Sequence, residues 1–409
     1  MAMNFRDLLV RRTSPGTTEP PDRPRVLVIA PTPFFADRGC HVRIYEEAQV
    51  LQDLGYEVEI YTYPIGRDLP GIPTRRTIPV PWYRKLGPGP SYHKLYLDVL
   101  LLLTCARSIF TRRPVLIHGH LHEGALLAAV LGKCFGIPCV ADLQGSLTRE
   151  LSDYDFAGNQ SLIYRALRTV EGWIDRSAGH IVASSRTMRD DLIERFDVQE
   201  DQVTVVEDGV GKGFFEDPGL PHRELYGIST TDRVVVFLGV LTELQGIEIL
   251  MQAIPTVLSK HVDVTFLVIG YPDEDVFASR AEREGFGDDV IFTGKMDYLA
   301  ISQTLSMCDL AISPKLSETE GNGKLFNYMA AGLPTLVFDN PVNRDILGDC
   351  GIYVESRTAD AFASKILETL DGGEATETLG EKARERARRT CSWASNAPIL
   401  QRVYEKLLR

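Results

Sequence analysis

The stretch Arg25-Val26-Leu27-Val28-Ile29-Ala30 is the first to indicate the fold of this 409-residue chain. Five apolar residues in a row are typical of a buried strand in a parallel sheet. A helix is predicted next, through Ile44, Ala48 and Leu51, and a second strand follows at residues 58–61. Strand, loop, helix and strand in this order begin a parallel α/β sheet.

The same pattern continues along the chain and then starts again. In the first half, the further predicted strands are residues 115–118, 138–142 and 181–183. In the second half, they are residues 234–239, 264–270, 290–292, 310–312, 335–338 and 351–354. Apolar runs separated by helices are typical of buried parallel sheets. We therefore expect an α/β fold with two Rossmann-like domains that face each other across a cleft.

The length of the chain exceeds what one core comfortably holds and suits two domains. We expect an N-terminal domain at residues 25–205, a C-terminal domain at residues 206–390 and a terminal helix within residues 391–409. Residues 1–24, which are rich in Arg, Thr and Pro, are expected to form a disordered tail.

The composition argues against one class of function and indicates one candidate interaction surface. A net charge of −12 argues against a general nucleic-acid-binding protein. Residues 64–113 nevertheless hold nine basic and two acidic residues, and they include Trp82, Tyr83, Arg84 and Lys85. Aromatic rings beside cations suit the headgroup level of a membrane. A wall of an acceptor site and a solvated basic face are the alternatives.

The cysteines and the N-terminus bear on the compartment. The seven cysteines form no CxxC pair and several lie in apolar surroundings, so we expect reduced thiols. No secretory signal is recognised. These observations predict a cytoplasmic protein, with association with a membrane left open.

The loops that follow the predicted strands are the candidate site, because ligands bind beyond the carboxyl ends of strands in open parallel sheets. Gly39 precedes a helix whose N-terminus favours anions, although a plain loop glycine fits as well. His118, His120 and His122 alternate as at a strand end, which suits a polar pocket better than a metal site. No metal is therefore expected. Asp142 either lines the same edge or belongs to a capped turn.

Residues 313–334 are the richest stretch of the sequence. Gly321 and Gly323 free the backbone to present N–H groups, and Lys324 opens the following helix. The ammonium group and the helix dipole would both attract a diphosphate there. Asn327 lies one turn later on the same face of the helix. The order of these residues at a strand edge predicts an anion-binding loop.

The sequence resembles glycosyltransferase family 4, whose members are retaining nucleotide-sugar enzymes with the GT-B fold. The resemblance runs from Arg25 to Leu408 and is strongest at residues 320–334, which are similar to the family's donor-binding Glu-x7-Glu region. Residues 118–120, 207–210 and 237–241 are similar as well. Cys391-Ser392-Trp393 with the terminal helix resembles the segment that crosses back onto the first domain.

The resemblance implies roles for particular side chains. His120 matches the histidine that contacts the donor sugar near its anomeric carbon, and Glu318 or Glu320 matches the carboxylate beside the sugar ring; we take these three as the catalytic candidates. Lys324 would hold the diphosphate, and the backbone of residues 321–323 would hold sugar hydroxyls. The full set of candidate donor-binding residues is Gly39, Asp142, Gly239, Gly321, Asn322, Gly323, Lys324, Leu325 and Asn327.

The sequence departs from the family pattern at several positions. The family's second Glu, which binds ribose hydroxyls, falls at Asn327, with one residue fewer than usual after Glu320. Asn still donates and accepts hydrogen bonds there, but without charge assistance. Val240 and Gln245 stand where the family carries Arg and Lys. Neutralisation of a diphosphate must then depend mainly on Lys324.

These observations predict a retaining, metal-independent glycosyltransferase that moves a hexose from a UDP- or GDP-sugar. The expected acceptor is a glycan, a lipid-linked molecule or a small molecule. The nucleotide-sugar is a substrate, so no cofactor is expected. A nucleotide-sugar epimerase and a non-catalytic sugar- or nucleotide-binding sensor have related architectures and are the alternatives.

Overall fold

The computed structural model describes residues 23–36, 39–84, 91–146, 148, 162–216, 223–316 and 322–409. The chain divides into two compact units. The first, unit 1, takes the described residues up to Asp208 together with Asn396–Arg409, and unit 2 takes Gly209–Ser395. Within the described ranges, no helix combines the length and apolarity that a bilayer crossing requires.

Unit 1 is built on one parallel sheet. Its strands are β1 (Arg25–Ala30), β2 (Glu57–Thr62), β3 (Thr74–Arg76), β4 (Leu116–His120), β5 (Cys139–Leu143), β6 (His180–Ala183) and β7 (Val203–Val205). They lie in the order β3-β2-β1-β4-β5-β6-β7. Its helices are α1 (Gly39–Asp53), α2 (His93–Thr111), α3 (Leu121–Phe135), α4 (Leu162–Ser177) and α5 (Arg186–Phe196). The chain order reverses between β1 and β4, where open α/β sheets bind ligands.

Unit 2 repeats the architecture on a six-stranded parallel sheet. Its strands are β8 (Arg233–Leu238), β9 (Val264–Ile269), β10 (Val290–Gly294), β11 (Leu310–Ser313), β12 (Thr335–Phe338) and β13 (Gly351–Val354), in the order β10-β9-β8-β11-β12-β13. Its helices are α6 (Ile247–Leu258), α7 (Glu274–Glu284), α8 (Tyr298–Leu305), α9 (Lys324–Ala331), α10 (Pro341–Leu347), α11 (Ala359–Leu370) and α12 (Gly373–Thr390). The last helix, α13 (Trp393–Leu407), belongs to unit 1 from Asn396 onward.

Apolar side chains from strands and helices form the core of each unit. In unit 1, Leu27 and Leu101 belong to one buried cluster, and Leu143 and Leu192 belong to a second. In unit 2, one buried cluster draws on β8, β9, β11 and β12 together with α6 and α11. Burial of this apolar surface is the main force that holds each sheet to its helices.

The α/β fold with two parallel sheets, as predicted from the sequence, is confirmed. Two short strands were not predicted. Thr74-Arg75-Arg76 of β3 has no apolar side chain and lies at the sheet edge, so no hydrophobic pattern marks it. β7 is only three residues long. Cys105, Cys139 and Cys308 are buried in the cores, whereas Cys134 is exposed.

Candidate active site

The carboxyl edge of the unit 2 sheet is packed so tightly that some positions admit only glycine. A Cβ on Gly270, just beyond β9, would lie 1.9 Å from the carbonyl oxygen of Gly239. A Cβ on Gly246 would lie 2.0 Å from the carbonyl oxygen of Pro314. Backbone from the ends of β8, β9 and β11 therefore meets at the point where the order of the sheet reverses.

Lys324, the first residue of α9, reaches this edge. Its Nζ donates a hydrogen bond to Gln245 Oε1 at 2.8 Å and lies 4.9 Å from the centre of the Phe237 ring. A Cβ on Gly239 would come within 2.8 Å of the same Nζ. A larger residue at position 239 would therefore displace the amine. The positive end of the α9 dipole adds to the charge of Lys324 at this place.

Tyr328 holds α9 against the sheet. Its hydroxyl accepts a hydrogen bond from the N–H of Leu238 at 2.7 Å and donates one to the carbonyl oxygen of Ile312 at 3.3 Å. Burial raises the pKa of this hydroxyl well above its ordinary value, so it stays protonated. The helix ends at Gly332, which adopts a φ of 77°. These contacts fix the position of Lys324 one turn earlier.

The neighbouring donor-binding candidates differ in how far they are exposed to a ligand. The buried amide of Asn322 donates to Ser313 Oγ at 3.2 Å and to Asn343 Oδ1 at 2.9 Å, so it connects the end of β11 to α10. Leu325 has its side chain in the interior. Gly323 is exposed, and Asn327 is half-buried. Three further candidates lie outside the described residues: Glu318, Glu320 and Gly321.

Unit 1 carries a buried ion pair at the carboxyl edge of its sheet. Arg43 of α1 holds Asp142 of β5 with three hydrogen bonds, from Nη2 to Oδ2 at 2.6 Å and from Nε to Oδ1 and Oδ2 at 3.0 Å each. Arg43 Nη1 also donates to Asp208 Oδ1 at 2.7 Å. Burial alone would raise the pKa of Asp142, but Arg43 and His120 lower it well below its usual range. The carboxylate is therefore ionised at neutral pH.

Two histidines stack beside this ion pair. The rings of His118 and His120 lie 4.6 Å apart and nearly parallel, and His120 Nδ1 lies 3.3 Å from Asp142 Oδ1. The His118 Nδ1 is 2.7 Å from the hydroxyl of Tyr404 in α13. Burial, followed by the charge of His120, lowers the pKa of His118 well below its ordinary value. An ionised carboxylate beside His120 can orient that imidazole.

Arg43 and Glu47 are site residues that the sequence reasoning missed. Glu47 is buried, and its carboxylate lies 3.7 Å from His118 Nε2. Burial, followed by the Asp142 charge, raises the pKa of Glu47 well above its ordinary value. The available signal was spacing: Arg43, Glu47 and Leu51 are four apart and so share one face of α1.

The structure thus brings together two pairs of the predicted residues. His120 and Asp142 meet in unit 1, and Gly239 and Lys324 meet in unit 2. Gly39 is the first residue of α1, as expected, but a Cβ there would meet no atom within 4 Å. Nothing at this position in the described structure requires a glycine.

The predicted aromatic and basic surface needs one correction. Trp82 is 71% exposed and Arg84 is exposed, but Tyr83 is only 5% exposed. The Tyr83 ring packs edge-on against Tyr63 and His93 in the core, so it is not a surface residue. Lys85 lies outside the described residues.

Comparisons with known proteins agree with this architecture. The family models "Glycosyl transferase 4-like domain" and "Glycosyl transferases group 1" match residues 38–209 and 221–386. A phosphatidyl-myo-inositol mannosyltransferase of Mycolicibacterium smegmatis is 25% identical over 395 residues, which cover 93% of each chain. Sucrose-phosphate synthase from Thermosynechococcus elongatus has a TM-score of 0.69 at 18% identity, over 94% of this chain and 99% of that one. Anabaena HepE in complex with UDP and glucose has a TM-score of 0.68 at 15% identity, over 94% and 100%.

The chain therefore belongs to the GT4-type glycosyltransferases, and its fold is of the GT-B class. Its two matched domains together account for most of the chain. The family assignment makes it a glycosyltransferase enzyme, so the epimerase and sensor alternatives are not supported.

Proposed function

We propose that this protein is a retaining, metal-independent glycosyltransferase that moves a hexose from a UDP- or GDP-sugar to a lipid-linked or glycan acceptor. The observation that carries the proposal is the placement of Lys324. Its ammonium group lies against Gly239 and on the Phe237 ring, at the first turn of α9. This is a cationic position at a sheet edge where α/β folds bind nucleotides.

The chemical demand on the donor side is departure of a nucleoside diphosphate. Negative charge grows on the phosphate oxygen as its bond to the anomeric carbon breaks, and fixed positive groups stabilise that charge. Lys324 and the N-terminal N–H groups of α9 provide such groups in the proposal. Lys324 donates to the neutral amide of Gln245. A diphosphate oxygen is the stronger acceptor and would replace that amide.

His120 has the second role in the proposal. The resemblance gives it a contact with the donor sugar, and Asp142 lies 3.3 Å from its Nδ1. The ionised Asp142 would fix the orientation of the His120 ring toward the donor sugar. Glu318 or Glu320 would stand beside the sugar ring, by the same resemblance. The acceptor hydroxyl would attack from the face that the diphosphate leaves, which retains the anomeric configuration.

Transfer assays test these proposals separately. The protein is incubated with UDP- and GDP-hexoses and with phosphatidylinositol or an oligosaccharide, and the anomeric configuration of the product is read by NMR. We expect transfer with the donor's configuration, and no increase in turnover on addition of Mg²⁺ or Mn²⁺. An inverted product or a strict requirement for added metal would reject the corresponding part of the proposal.

Peripheral membrane contact is proposed on a separate observation in unit 1. An exposed apolar stripe runs along the outer face of α2, formed by Leu95, Val99, Leu103 and Phe110. The exposed side chains of Trp82 and Arg107 extend this surface. Exposed apolar and aromatic side chains next to cationic groups can enter the headgroup level of an anionic lipid surface. A lipid acceptor, as the name of the Mycolicibacterium relative states for that protein, fits this placement.

Flotation with vesicles of anionic lipid at low salt tests the membrane contact. We expect the protein to float with the vesicles and to lose this in a Val99→Glu/Leu103→Glu variant. Val262→Glu is the matched control, because Val262 is an exposed apolar residue of unit 2. Failure of the unmodified protein to float would reject the membrane contact. Transfer to a soluble acceptor does not depend on that contact and would still be expected.

A further inference from the structure

A second polar cluster in unit 1 lies outside the site described above. It consists of His122 in the first turn of α3 and of Glu171 and Asp175, which are four residues apart on α4. One ligand-type atom from each lies within 4.8 Å of the other two. All three residues are buried, and the two carboxylates are 0% and 1% exposed.

The cluster leaves polar atoms unsatisfied. His122 Nε2 and both carboxylate oxygens of Asp175 have no hydrogen-bond partner in the described structure. His122 Nε2 lies 3.6 Å from Glu171 Oε1 and 3.7 Å from Asp175 Oδ1, beyond hydrogen-bond distance. Buried polar groups without partners cost free energy, and two carboxylates in one enclosed space also repel each other. A cation between the three side chains would offset both costs.

The distances suit a bound transition metal. Ligands bound to Zn²⁺ at about 2.0–2.2 Å in a tetrahedral arrangement lie about 3.4 Å from one another. The observed 3.6 and 3.7 Å separations need only small adjustments to reach this value. One imidazole and two carboxylates are ligands that zinc accepts in proteins, with a fourth position left to water.

Glu171 is already oriented as a ligand would be. Ser146 donates to its Oε1 at 2.7 Å, and the N–H and hydroxyl of Thr148 donate to its Oε2 at 3.0 and 2.6 Å. Such outer hydrogen bonds fix metal-binding carboxylates. In the cluster next to His120, by contrast, the Arg43 guanidinium already provides the positive charge that pairs with the Asp142 carboxylate.

We propose that His122, Glu171 and Asp175 form a binding site for a divalent transition metal of the zinc class, which joins α3 to α4. This proposal departs from the prediction, made from the sequence, that the protein binds no metal. The metal would hold the junction between β4 and α3, where Leu121 has a φ of 61° and His120 is the adjacent residue. Its role is structural and separate from the donor diphosphate.

Metal binding by the whole protein tests the proposal. The protein is stripped with a chelator, desalted and titrated with Zn²⁺ or with Mg²⁺ alone. We expect one Zn²⁺ per chain, a higher midpoint of thermal unfolding with Zn²⁺, and weak binding of Mg²⁺, which prefers six oxygen ligands. Co²⁺ in place of Zn²⁺ should give the visible absorption of a tetrahedral site.

Two variants locate the site. Asp175→Asn should bind Zn²⁺ about a hundredfold more weakly or worse, since even outer-shell partners are worth 10–100-fold. Glu47→Gln, the matched buried carboxylate of the other cluster, should bind as the unmodified protein does. Unchanged affinity in Asp175→Asn, loss in Glu47→Gln, or no zinc uptake at all would each overturn the proposal. If Asp175→Asn fails to fold by circular dichroism, the Co²⁺ spectrum of the unmodified protein decides, and lack of tetrahedral bands rejects the site.

Discussion

At the carboxyl edge of its sheet, unit 1 holds Arg43 and Asp142 as a fully buried ion pair, whereas unit 2 places Lys324 against the glycine backbone at position 239. The Arg43 charge is balanced by carboxylates of the protein itself. The Lys324 amine donates to a neutral amide and lies on an aromatic ring. In the described residues, the first edge therefore pairs its cation with carboxylates, whereas the second places its cation beside an amide oxygen, an aromatic ring and glycine backbone.

The two edges also hold their charged groups in place by different means. In unit 1, charge placement depends on side chains that fix one another, so loss of one partner leaves a buried charge uncompensated. In unit 2, the placement depends on close backbone approach, which needs glycine at particular positions. Substitution of the charged residue should therefore act mainly on stability at the first edge and mainly on ligand binding and turnover at the second, while substitution of the close-packed glycines at the second edge should also cost stability.

The largest effect is expected for Arg43→Met. The change leaves Asp142 buried without its partner, and removal of one member of a buried ion pair costs about 3–5 kcal/mol. Hydrogen–deuterium exchange of the β4 and β5 amides measures the loss within unit 1. As a control, Arg280→Met breaks the partly exposed pair with Glu248 in unit 2 and should cost about 1 kcal/mol or less. Equal losses in the two variants would contradict the comparison.

Lys324→Ala is expected to lower kcat by about 10²–10³-fold, the usual effect of removing a group that stabilises transition-state charge. Steady-state transfer kinetics give the change, and circular dichroism checks that the fold is kept. Lys324→Arg should retain more activity because it keeps the charge. Lys365→Ala removes a lysine of α11 that pairs with Glu368, and it should leave kcat unchanged. Turnover near normal in Lys324→Ala would contradict the assignment.

Gly270→Ala should destabilise unit 2 by about 1–3 kcal/mol, the usual cost of inserting atoms into a packed region. The added Cβ would collide with the carbonyl oxygen of Gly239. Amide exchange in β8 and β9 measures the effect. Gly213→Ala is the control in the same unit, because a Cβ there meets no atom within 4 Å. Similar stability in the two variants would show that the close approach at Gly239 is not required.

The smallest effect is a pH dependence in unit 1. Burial, followed by the charge of Lys406, lowers the pKa of His180 from 6.5 to about 4. The unfolded chain then binds a proton that the folded chain does not, so stability falls as pH drops from about 6.5 towards 4. Thermal unfolding at pH 7 and pH 5 measures the loss. His180→Gln can keep the 2.9 Å contact with Thr204 and should reduce this loss; an identical loss would exclude His180 as a cause.

The sequence predicts strands well where apolar runs are continuous, and less well elsewhere. Residues 335–338 and 351–354 were predicted with the bounds that the structure has, because residues 336–338 and 352–354 are continuous apolar runs. The polar edge strand β3 carries no such signal. Tyr83 was assigned to the surface because its neighbours in sequence are charged, although its ring lies in the core.

The position of Lys324 could be predicted from the sequence, whereas the ion pair of unit 1 could not. The placement of Lys324 at the start of a helix after a strand can be read from residue order alone. The pairing of Arg43 with Asp142 cannot, because the two residues are 99 positions apart and only the fold brings them together. Helical spacing alone could have indicated that Arg43 and Glu47 share one face of α1, but not that Arg43 pairs with Asp142.

Calorimetric titration with UDP and with GDP tests the central claim, that the unit 2 edge holds the diphosphate of the donor. We expect at least one of these nucleotides to bind, and Lys324→Ala to weaken its binding about 10- to 100-fold, in line with loss of a charge-assisted hydrogen bond. His120→Ala should leave the affinity unchanged because the nucleotide lacks the sugar. Binding to Lys324→Ala as tight as to the unmodified protein would contradict it.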